Sequence, residues 1–514
     1  MASTPVPDEV FRKLIARRAR TLLGLAKHLS QCQSDSEIMI RPMMGELLSQ
    51  STQMEEFLDA CGARNNCQWC GFRSLTAAMK HFSDAGYEML HIRYSLPAYR
   101  LLPIEQDFAK ATDQTLAFTA DVLRRAAKLM MTRAEQLGLD IPPETPREQS
   151  YSEVLAPGQL PRGCITHRIE TAAETVTLLA TAFLNLAAES KDVRAASRAK
   201  PAQYASYVQD AVSEKQLRSL ELRFHTLQSL YDTYVSGTEA EDLDTDLPVL
   251  RGHISVVFHL LRTATLFVHH YERHVNKRPC DSPYRQWPLV EGKALLEVLM
   301  SYSITHISLY IDCAENLCRE MLRRYAEVGQ IEVPVPPYRG FHVRPSTLIS
   351  KLVRHYGSKV QMALDDELYD AGSPLDLFRA NEKINAQKRR WLAAEVVRLG
   401  LIQKENGRSD DMDAVVQRVV LALAGRSKLL LYEQPLELPQ VPAGQQATVL
   451  EKVVDAMARL LAMGKIDVEA GLTAKFIGDK RVLADIKLLA ESGYGEDNFG
   501  NNVPLPEKLD YLRR

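Results

Sequence analysis

The sequence predicts a mainly α-helical, multidomain protein in which one α+β domain is embedded toward the C-terminal side. Apolar residues recur at three-to-four spacing through most of the first 330 residues, as they do on the buried face of amphipathic helices. At Ile331 the pattern changes to alternating β-branched residues with prolines, and from about Pro442 it becomes helical again. The predicted divisions are a helical domain at 1–137, a linker at 138–163, a helical bundle domain at 164–330, the α+β domain at 331–440, and a C-terminal helical segment with a tail at 441–514.

The helical segments are rich in Ala, Leu, Arg, Glu, Met and Gln, which are strong helix formers. The first break between them, Gly138–Gly163, contains five prolines and predicts a long loop or linker. The second break, Gly237–Leu247, is acidic and predicts a solvated connection between two helices. The predicted helical segments are Phe11–Leu29, Ile104–Leu137, Thr166–Glu189, Ala202–Ser236, Pro248–Val275 and Leu289–Val328.

Strands and helices alternate in the predicted α+β domain. Ile331–Pro337 is β-branched and rich in proline, which is typical of an edge strand followed by a turn. The later elements predicted are a helix after Pro345, a strand at Lys359–Leu364, a helix that begins near Ser373 and runs past Trp391, a helix at Asp410–Ala424, and a strand at Lys428–Tyr432.

One segment between a predicted strand and a predicted helix carries residues suited to phosphoryl chemistry. It reads Gly340-Phe341-His342-Val343-Arg344-Pro345, and proline is well suited to the first turn of a helix. A helix N-terminus attracts anions, and the Arg344 guanidinium adds a permanent charge that can pair with phosphate. An imidazole at His342 could accept a phosphoryl group there. The predicted phosphate-binding residues beyond Arg344 are Pro345, Ser346 and Thr347.

The pattern Gly-x-His-x-Arg-Pro after a short strand resembles the active-site signature of HPr, the histidine phosphocarrier of the phosphoenolpyruvate-dependent phosphotransferase system. A second landmark agrees, because HPr-like proteins have a serine at the start of their second helix about thirty residues beyond the histidine. Ser373 follows His342 by thirty-one positions and precedes Pro374. Some bacteria phosphorylate that serine for regulation, so Ser373 is a candidate phosphosite, although we favour its role as a helix N-cap.

The resemblance implies an HPr-like fold, which is an open-faced sandwich of an antiparallel sheet and helices. It also implies a function: His342 would accept a phosphoryl group from an Enzyme I-like donor protein and pass it to an unidentified acceptor protein, with Arg344 neutralising the phosphate. No cofactor is needed, because the donor already carries an activated phosphoramidate. The long helical region before the domain favours regulation over bulk transport. The alternative is a helical scaffold or assembly protein whose HPr-like module docks partners without phosphotransfer.

Two further clusters are candidate metal ligands. Cys61, Cys67 and Cys70 with His81 form the spacing C-x5-C-x2-C-x10-H, and thiolates with imidazole suit zinc. A second CxxC pair is missing, so unliganded cysteines are the preferred interpretation. The histidines of the segment 269–274 could bind a metal for catalysis, but histidines near the C-terminal end of a helix are a commoner explanation.

The composition limits the kinds of partner that we expect for this protein. The chain of 514 residues has 63 basic and 65 acidic residues and a formal net charge of −2, which gives no electrostatic reason to expect nucleic acid. We expect no membrane span, because the apolar runs are short. Eight scattered cysteines and a basic first segment favour a cytoplasmic protein. The large helical surfaces also make a homo-oligomer a candidate assembly.

Overall fold

The computed structural model describes residues 6–142, 171–276, 289–402, 412–432, 448–468 and 471–513. The described chain is mostly helical with a small amount of antiparallel sheet, which confirms the mainly α prediction. It forms two compact units, Met1–Cys318 and Arg319–Arg514. The predicted domain divisions stay predictions, and most of the predicted linker, from residue 143 onward, lies outside the described residues.

The first unit is built from helices in the part of it that the structure describes. These are α1 (Asp8–Arg18), α2 (Arg20–Gln31), α3 (Asp35–Ile38), α4 (Arg41–Ala60), α5 (Cys70–Tyr99), α6 (Phe108–Gln136), α7 (Ala172–Glu189), α8 (Lys191–Ala196), α9 (Tyr204–Val208), α10 (Glu214–Tyr234), α11 (Glu239–Leu243), α12 (Asp246–His270), α13 (Gly292–Val298) and α14 (Thr305–Arg324). Short 3-10 turns lie at Ala63–Asn65 and Pro201–Gln203, and π-helical turns lie at Tyr271–Asn276 and Leu299–Ile304.

Helices α5 and α12 form the centre of this unit. Most of the α12 side chains are buried, and α5 contributes a long buried face to the same core. The two backbones come very close at Gly252, where an added Cβ would lie 1.8 Å from the carbonyl oxygen of Tyr99. Only glycine has room for this contact, so the sequence at 252 sets how near the helices can pack.

The acidic segment Gly237–Leu247 connects α10 and α12, as predicted, and includes a short helix. It contains α11, and Glu241 accepts a hydrogen bond from the Tyr231 hydroxyl at 2.8 Å and one from the Gly237 amide. Asp244 is buried. Glu241 and Asp244 therefore form local hydrogen bonds within the connection between α10 and α12. Glu239 and Asp242 are exposed, as expected of a solvated connection, and the short helix α11 is the feature that was not predicted.

A continuous helical stretch of 33 residues, Gly292–Arg324, is long and apolar enough to cross a membrane by length and composition. The most apolar window of this stretch is 67% buried inside the protein. A buried core helix has the same properties, so the stretch is only a weak indication of a membrane span.

The second unit contains a four-stranded antiparallel sheet. Its elements in chain order are β1 (Val328–Pro334), α15 (Val343–Tyr356), β2 (Val360–Leu364), β3 (Glu367–Asp370), α16 (Pro374–Arg398), α17 (Met412–Ala424), β4 (Leu429–Leu431), α18 (Val449–Ala462), β5 (Ile466–Val468), β6 (Thr473–Asp479) and α19 (Lys480–Glu491). Single 3-10 segments at Gly493–Gly495 and Glu507–Arg513 follow. The strand order is β1-β6-β2-β3, and β4 pairs with β5 in a separate two-stranded sheet.

One face of the four-stranded sheet is packed and the other is more exposed. Phe476 in β6 pairs with Ile331 on one side and with Met362 on the other, and Phe476 and Met362 are fully buried. Glu332 follows Ile331 along β1 and Gln361 precedes Met362 along β2, and both are exposed. This alternation is expected of a sheet that is covered on one face. Helices α15, α16 and α19 contact one another or the strands and supply the cover.

The chain between α16 and β6 forms its own small core. Valines and leucines of α17 and α18 pack with the end of α16 and with β4 and β5, and fourteen buried residues make up this cluster. The predicted helix Asp410–Ala424 is therefore α17 and belongs to the small core, whereas the helix that follows the closing strand of the main sheet is α19. The segment 441–514, predicted as a helical segment with a tail, contains α18 and α19 and also the strands β5 and β6, which were not predicted.

Candidate functional site

The loop between β1 and α15 has a backbone that requires glycine at one position. Arg339 and Gly340 have φ angles of 55° and 64°, in the left-handed region. A Cβ added to Gly340 would lie 2.2 Å from Oδ1 of Asn381, well inside contact distance. The glycine of the sequence motif is thus required both by its torsion angle and by the side chain that packs on it.

Asn381 of α16 holds this loop in place. Its Oδ1 accepts a hydrogen bond from the Phe341 amide at 2.9 Å, and its Nδ2 donates to the carbonyl of Arg339 at 3.1 Å. The Phe341 ring is fully buried and packs edge-on against Phe476 and Tyr494. These contacts fix the backbone on both sides of Gly340. They therefore also fix the backbone position of His342, which follows Phe341.

His342 is the N-cap of α15, and a distant carboxylate holds its ring. Nε2 of His342 lies 2.9 Å from both Oε1 and Oε2 of Glu496. The Glu496 side chain is 1% exposed and the His342 side chain is 24% exposed. Because a carboxylate only accepts hydrogen bonds, the neutral imidazole in this contact carries its proton on Nε2 and has its lone pair on Nδ1. Among the described residues Nδ1 has no hydrogen-bond partner.

The first turn of α15 offers fewer free amides than the motif suggested. The Ser346 amide donates to the His342 carbonyl at 3.2 Å, and the Ser346 hydroxyl donates to the Phe341 carbonyl at 2.7 Å. The Thr347 hydroxyl donates to the Val343 carbonyl at 2.6 Å. Pro345 is buried in the first turn and has no amide hydrogen.

The polar groups left for an anion are at the very start of the helix. The amides of Val343 and Arg344 have no acceptor in the part of the chain that the structure describes. The Arg344 guanidinium donates to Oδ1 of Asn502, which orients the charged group beside the helix start. These two amides and the guanidinium are the groups that could hold phosphate oxygens.

Glu496 and Asn502 come from a compact turn near the end of the chain. They pair with each other through a single antiparallel bridge. Asp497 closes the turn by accepting hydrogen bonds from the amides of Phe499 at 2.9 Å and Asn501 at 2.8 Å. The sequence predicted this stretch only as part of a C-terminal tail. Nothing in its local pattern indicates that it supplies two residues to the His342 site.

The small core also reaches the loop. Asp467 of β5 accepts a hydrogen bond from the Arg339 amide at 2.9 Å and forms a buried ion pair with Lys388 of α16 at 2.7 Å. The Tyr338 ring stands perpendicular to the His342 ring with centroids 5.5 Å apart, and its other neighbour is Tyr432 at 5.0 Å. Tyr432 and Asp467 therefore form one side of the site, although both lie outside the main sheet.

Ser373 is the N-cap of α16, and its side chain accepts a hydrogen bond from the Asp376 amide at 3.4 Å. The N-cap interpretation is confirmed, and phosphorylation at Ser373 stays a prediction. His355 lies near the end of α15, where its ring stacks on Tyr511 with centroids 4.2 Å apart.

The cysteines and His81 occupy different places. Cys61 and Cys67 are exposed before α5, and Cys70 begins that helix. His81 lies eleven residues farther on, roughly 16 Å along the axis at the usual rise per residue. It is buried beside His269 and His274 near the end of α12, so two clusters that are separate in the sequence meet in the structure. Burial is the largest cause that lowers the pKa of His81, and it also lowers the pKa of His274 to about 2.

No known protein-family model, curated protein or solved structure matches this chain significantly.

Proposed function

We propose that this chain is a histidine phosphocarrier or a phosphorylation-dependent regulatory protein resembling HPr, in which His342 accepts a phosphoryl group from an Enzyme I-like donor. The observation that carries the proposal is the geometry of one imidazole. Its Nε2 is held by Glu496 at 2.9 Å, while Nδ1 has no partner among the described residues and lies at the start of a helix.

The order of elements supports the proposal. A strand, a helix, two strands, a second helix, a fourth strand and a third helix follow one another as β1, α15, β2, β3, α16, β6 and α19. The four strands form one antiparallel sheet with a packed face and a more exposed face. An open-faced sandwich has this arrangement, with the small core inserted between the second helix and the fourth strand.

The proposed transfer moves a phosphoryl group between two imidazoles. The Nδ1 lone pair of His342 attacks the phosphorus of the donor phosphohistidine, and the N–P bond of the donor breaks as the new N–P bond forms. The electron pair of the broken bond returns to the donor imidazole. The phosphorylated His342 ring keeps its Nε2 proton and gains positive character, which the Glu496 carboxylate offsets.

Groups at the helix start stabilise the transferred phosphate. The amides of Val343 and Arg344 and the guanidinium of Arg344 can donate hydrogen bonds to its oxygens. Asn502 keeps the guanidinium oriented before the phosphate arrives. Asn381 acts through the backbone, since it fixes the loop that carries His342. It is therefore a positioning residue.

The experiment is phosphoryl transfer from phosphoenolpyruvate to the full chain through the source organism's own Enzyme I-like protein. Intact-protein mass should show one added phosphate that is acid-labile and base-stable. His342→Ala should carry none. Glu496→Gln removes the carboxylate charge that offsets the positive character of the phosphorylated ring, and we expect transfer to slow by about 100-fold, the range for loss of one electrostatic partner of a reacting group.

Matched controls separate this chemistry from general damage. Glu332→Gln changes an exposed carboxylate on β1, and His225→Ala removes an exposed histidine of α10; both should be phosphorylated as the unchanged protein is. If a donor that phosphorylates its usual carrier transfers nothing to this chain, the proposal fails. The alternative, a scaffold whose HPr-like module docks partners without phosphotransfer, would then account for the same fold.

A further inference from the structure

We propose that His81, His269 and His274 form a binding site for a divalent transition metal, with Zn²⁺ as the ion that suits them best. One ring nitrogen from each histidine lies within 4.8 Å of the other two. Among the described residues, these histidines are the one group of three or more histidine, cysteine or acidic side chains whose ligand atoms lie this close together. The site lies in the first unit and does not depend on the chemistry proposed for His342.

A π-helical turn brings two of the ligands to one side. His269 and His274 are five residues apart, and in an α-helix that spacing would turn them about 140° from each other. After His269 the chain from Tyr271 to Asn276 is instead π-helical, with hydrogen bonds from i to i+5, and its wider turn reduces the angle between the two residues. Their rings lie with centroids 6.2 Å apart, and both approach the ring of His81, at 4.6 and 5.3 Å. Single π turns are rare in proteins, but those that occur are often found at functional sites.

In His81 and His269, Nδ1 already has a polar neighbour, which leaves Nε2 as the atom that would bind the metal. Nδ1 of His81 lies 3.3 Å from Nδ1 of His270, at hydrogen-bond distance. Nδ1 of His269 lies 3.0 Å from Oε1 of Glu214, which is an ion-pair distance although the angle is poor for a hydrogen bond. Metal-binding histidines usually have a partner on the second ring nitrogen, and a carboxylate is a common one. His270 and Glu214 occupy those outer positions.

The donor set favours zinc. Uncharged imidazole is a common ligand of Zn²⁺, Cu²⁺ and Ni²⁺, and three histidines with an open fourth position are a known tetrahedral zinc arrangement. With Zn–N bonds of about 2.0–2.1 Å, nitrogens of a tetrahedral site lie roughly 3.3 Å apart. The rings must therefore close by a small rotation on binding. His269 and His274 are partly exposed, unlike His81, so solvent reaches part of the ligand set.

The helices that carry the ligands are fixed near the site. His81 lies one turn before Asp84 on α5, and Asp84 and Glu88 both pair with Arg262 of α12, at 3.1 and 3.0 Å. Glu88 also accepts a hydrogen bond from His259 at 2.6 Å. This polar seam holds α5 and α12 in one register, so the metal site is assembled on a prepared pair of helices.

The test is direct titration of the untagged full chain, freed of metal by a chelator, with Zn²⁺ and separately with Co²⁺. We expect one Zn²⁺ per chain and a Co²⁺ absorption spectrum of tetrahedral nitrogen coordination, together with a higher unfolding temperature when Zn²⁺ is present. His269→Gln and His274→Gln should weaken binding by more than the roughly 10- to 100-fold that loss of an outer partner costs. Glu214→Gln should weaken it by about that smaller amount.

Two controls decide between ligand sets. His225→Gln changes an exposed histidine outside the cluster and should bind as the unchanged protein does. The double variant Cys67→Ser/Cys70→Ser should also bind unchanged. Absence of Zn²⁺ binding by the unchanged protein would overturn the proposal. So would binding that survives both histidine changes or disappears in the cysteine variant. Circular dichroism checks that each variant is folded, and the Co²⁺ spectrum of the unchanged protein gives an answer even if a variant is not.

Discussion

The substitution Gly340→Ala tests how the loop before His342 is held. Its cost has two parts. The φ of 64° is unfavourable for alanine by about 1–2 kcal/mol. The new Cβ would lie 2.2 Å from Oδ1 of Asn381, so that side chain must move away from the buried Phe341 amide. A buried donor left without its acceptor costs about 1–3 kcal/mol, and the total is roughly 2–5 kcal/mol.

Gly400→Ala is a control that isolates the contact with Asn381. Gly400 has a φ of 60°, nearly the same as Gly340, but a Cβ there meets nothing within 4 Å. We expect Gly400→Ala to cost only the torsional part, about 1–2 kcal/mol. Hydrogen exchange of the sheet amides in the full-length chain, measured by mass spectrometry, reports the opening free energy of this unit for each variant.

A double variant completes the test. In an Asn381→Ala background the clash is absent, so Gly340→Ala should add only about as much as Gly400→Ala adds alone. The reasoning is refuted if Gly340→Ala is no more destabilising than Gly400→Ala. It is also refuted if the cost of Gly340→Ala is the same with and without the Asn381 side chain.

Three other changes have expected outcomes. Asp467→Asn leaves the buried Lys388 ammonium without its carboxylate, so the opening free energy of the second unit, measured by hydrogen exchange, should fall by about 3–5 kcal/mol. The pair Lys388→Met/Asp467→Leu should recover only part of this loss, because the Arg339 amide then lacks its acceptor. Burial lowers the pKa of His355 from 6.5 to about 4, so the unfolded chain binds the proton first as the pH falls. Urea titrations should therefore show full stability above pH 6.5 and a loss of up to about 3 kcal/mol toward pH 4, which His355→Phe lacks. Gly252→Ala should destabilise the first unit by about 3 kcal/mol or more in thermal unfolding, because its Cβ meets a backbone carbonyl oxygen at 1.8 Å. The control Gly45→Ala in α4, where the added Cβ has room, should stabilise the unit by up to about 1 kcal/mol.

Each of these has an outcome that contradicts it. Equal stability of Asp467→Asn and the unchanged protein would mean that water reaches the Lys388 ammonium. The same pH profile with and without the His355 imidazole would assign the acid sensitivity to other groups. A Gly252→Ala variant as stable as Gly45→Ala would mean that α5 and α12 pack farther apart than the structure shows.

The helical periodicity of the sequence located most of the helices in the first unit, and of the central pair it located α12 but not α5. The segment Pro248–Val275 became α12 and its π turn, as the pattern predicted. Helices α4 and α5 were not predicted. In α5 the buried face includes His81, Ser83 and Glu88 among alanines and methionines, so polar residues interrupt the apolar pattern. His81 and Glu88 are buried with partners on α12, and the Ser83 hydroxyl donates to the Lys80 carbonyl of its own helix. A search for apolar spacing does not detect such a face.

In the second unit the sequence predicted the early elements and missed the closing strand. The strand predicted at Ile331–Pro337 lies at Val328–Pro334, because the prolines that follow Pro334 cannot continue a ladder of amide donors. Strand β6 was missed although it alternates buried and partly exposed residues around Phe476. The small core separates it by some seventy residues from α16, and a local pattern gives no information about which sheet a strand joins.

Both candidate sites show why local sequence identifies a histidine more easily than its chemistry. The motif around His342 predicts a ring at a helix start, and the partner that orients the ring is 154 residues away. His81 likewise meets its hydrogen-bond partner 189 residues along the chain. Which nitrogen of an imidazole carries the proton depends on the partner of the other nitrogen. That choice is therefore a property of the tertiary structure alone.

For His342 this dependence leads to a definite expectation about the product. Glu496 occupies Nε2, so a transferred phosphoryl group should be bonded to Nδ1. Nuclear magnetic resonance of the phosphorylated chain with ¹⁵N-labelled histidine distinguishes the two products by the ring nitrogen that couples to phosphorus. Phosphate on Nε2 would require the contact with Glu496 to break before transfer, and Glu496 would then hinder the reaction. In that case Glu496→Gln should accelerate phosphorylation, opposite to the slowing expected if the carboxylate orients the ring.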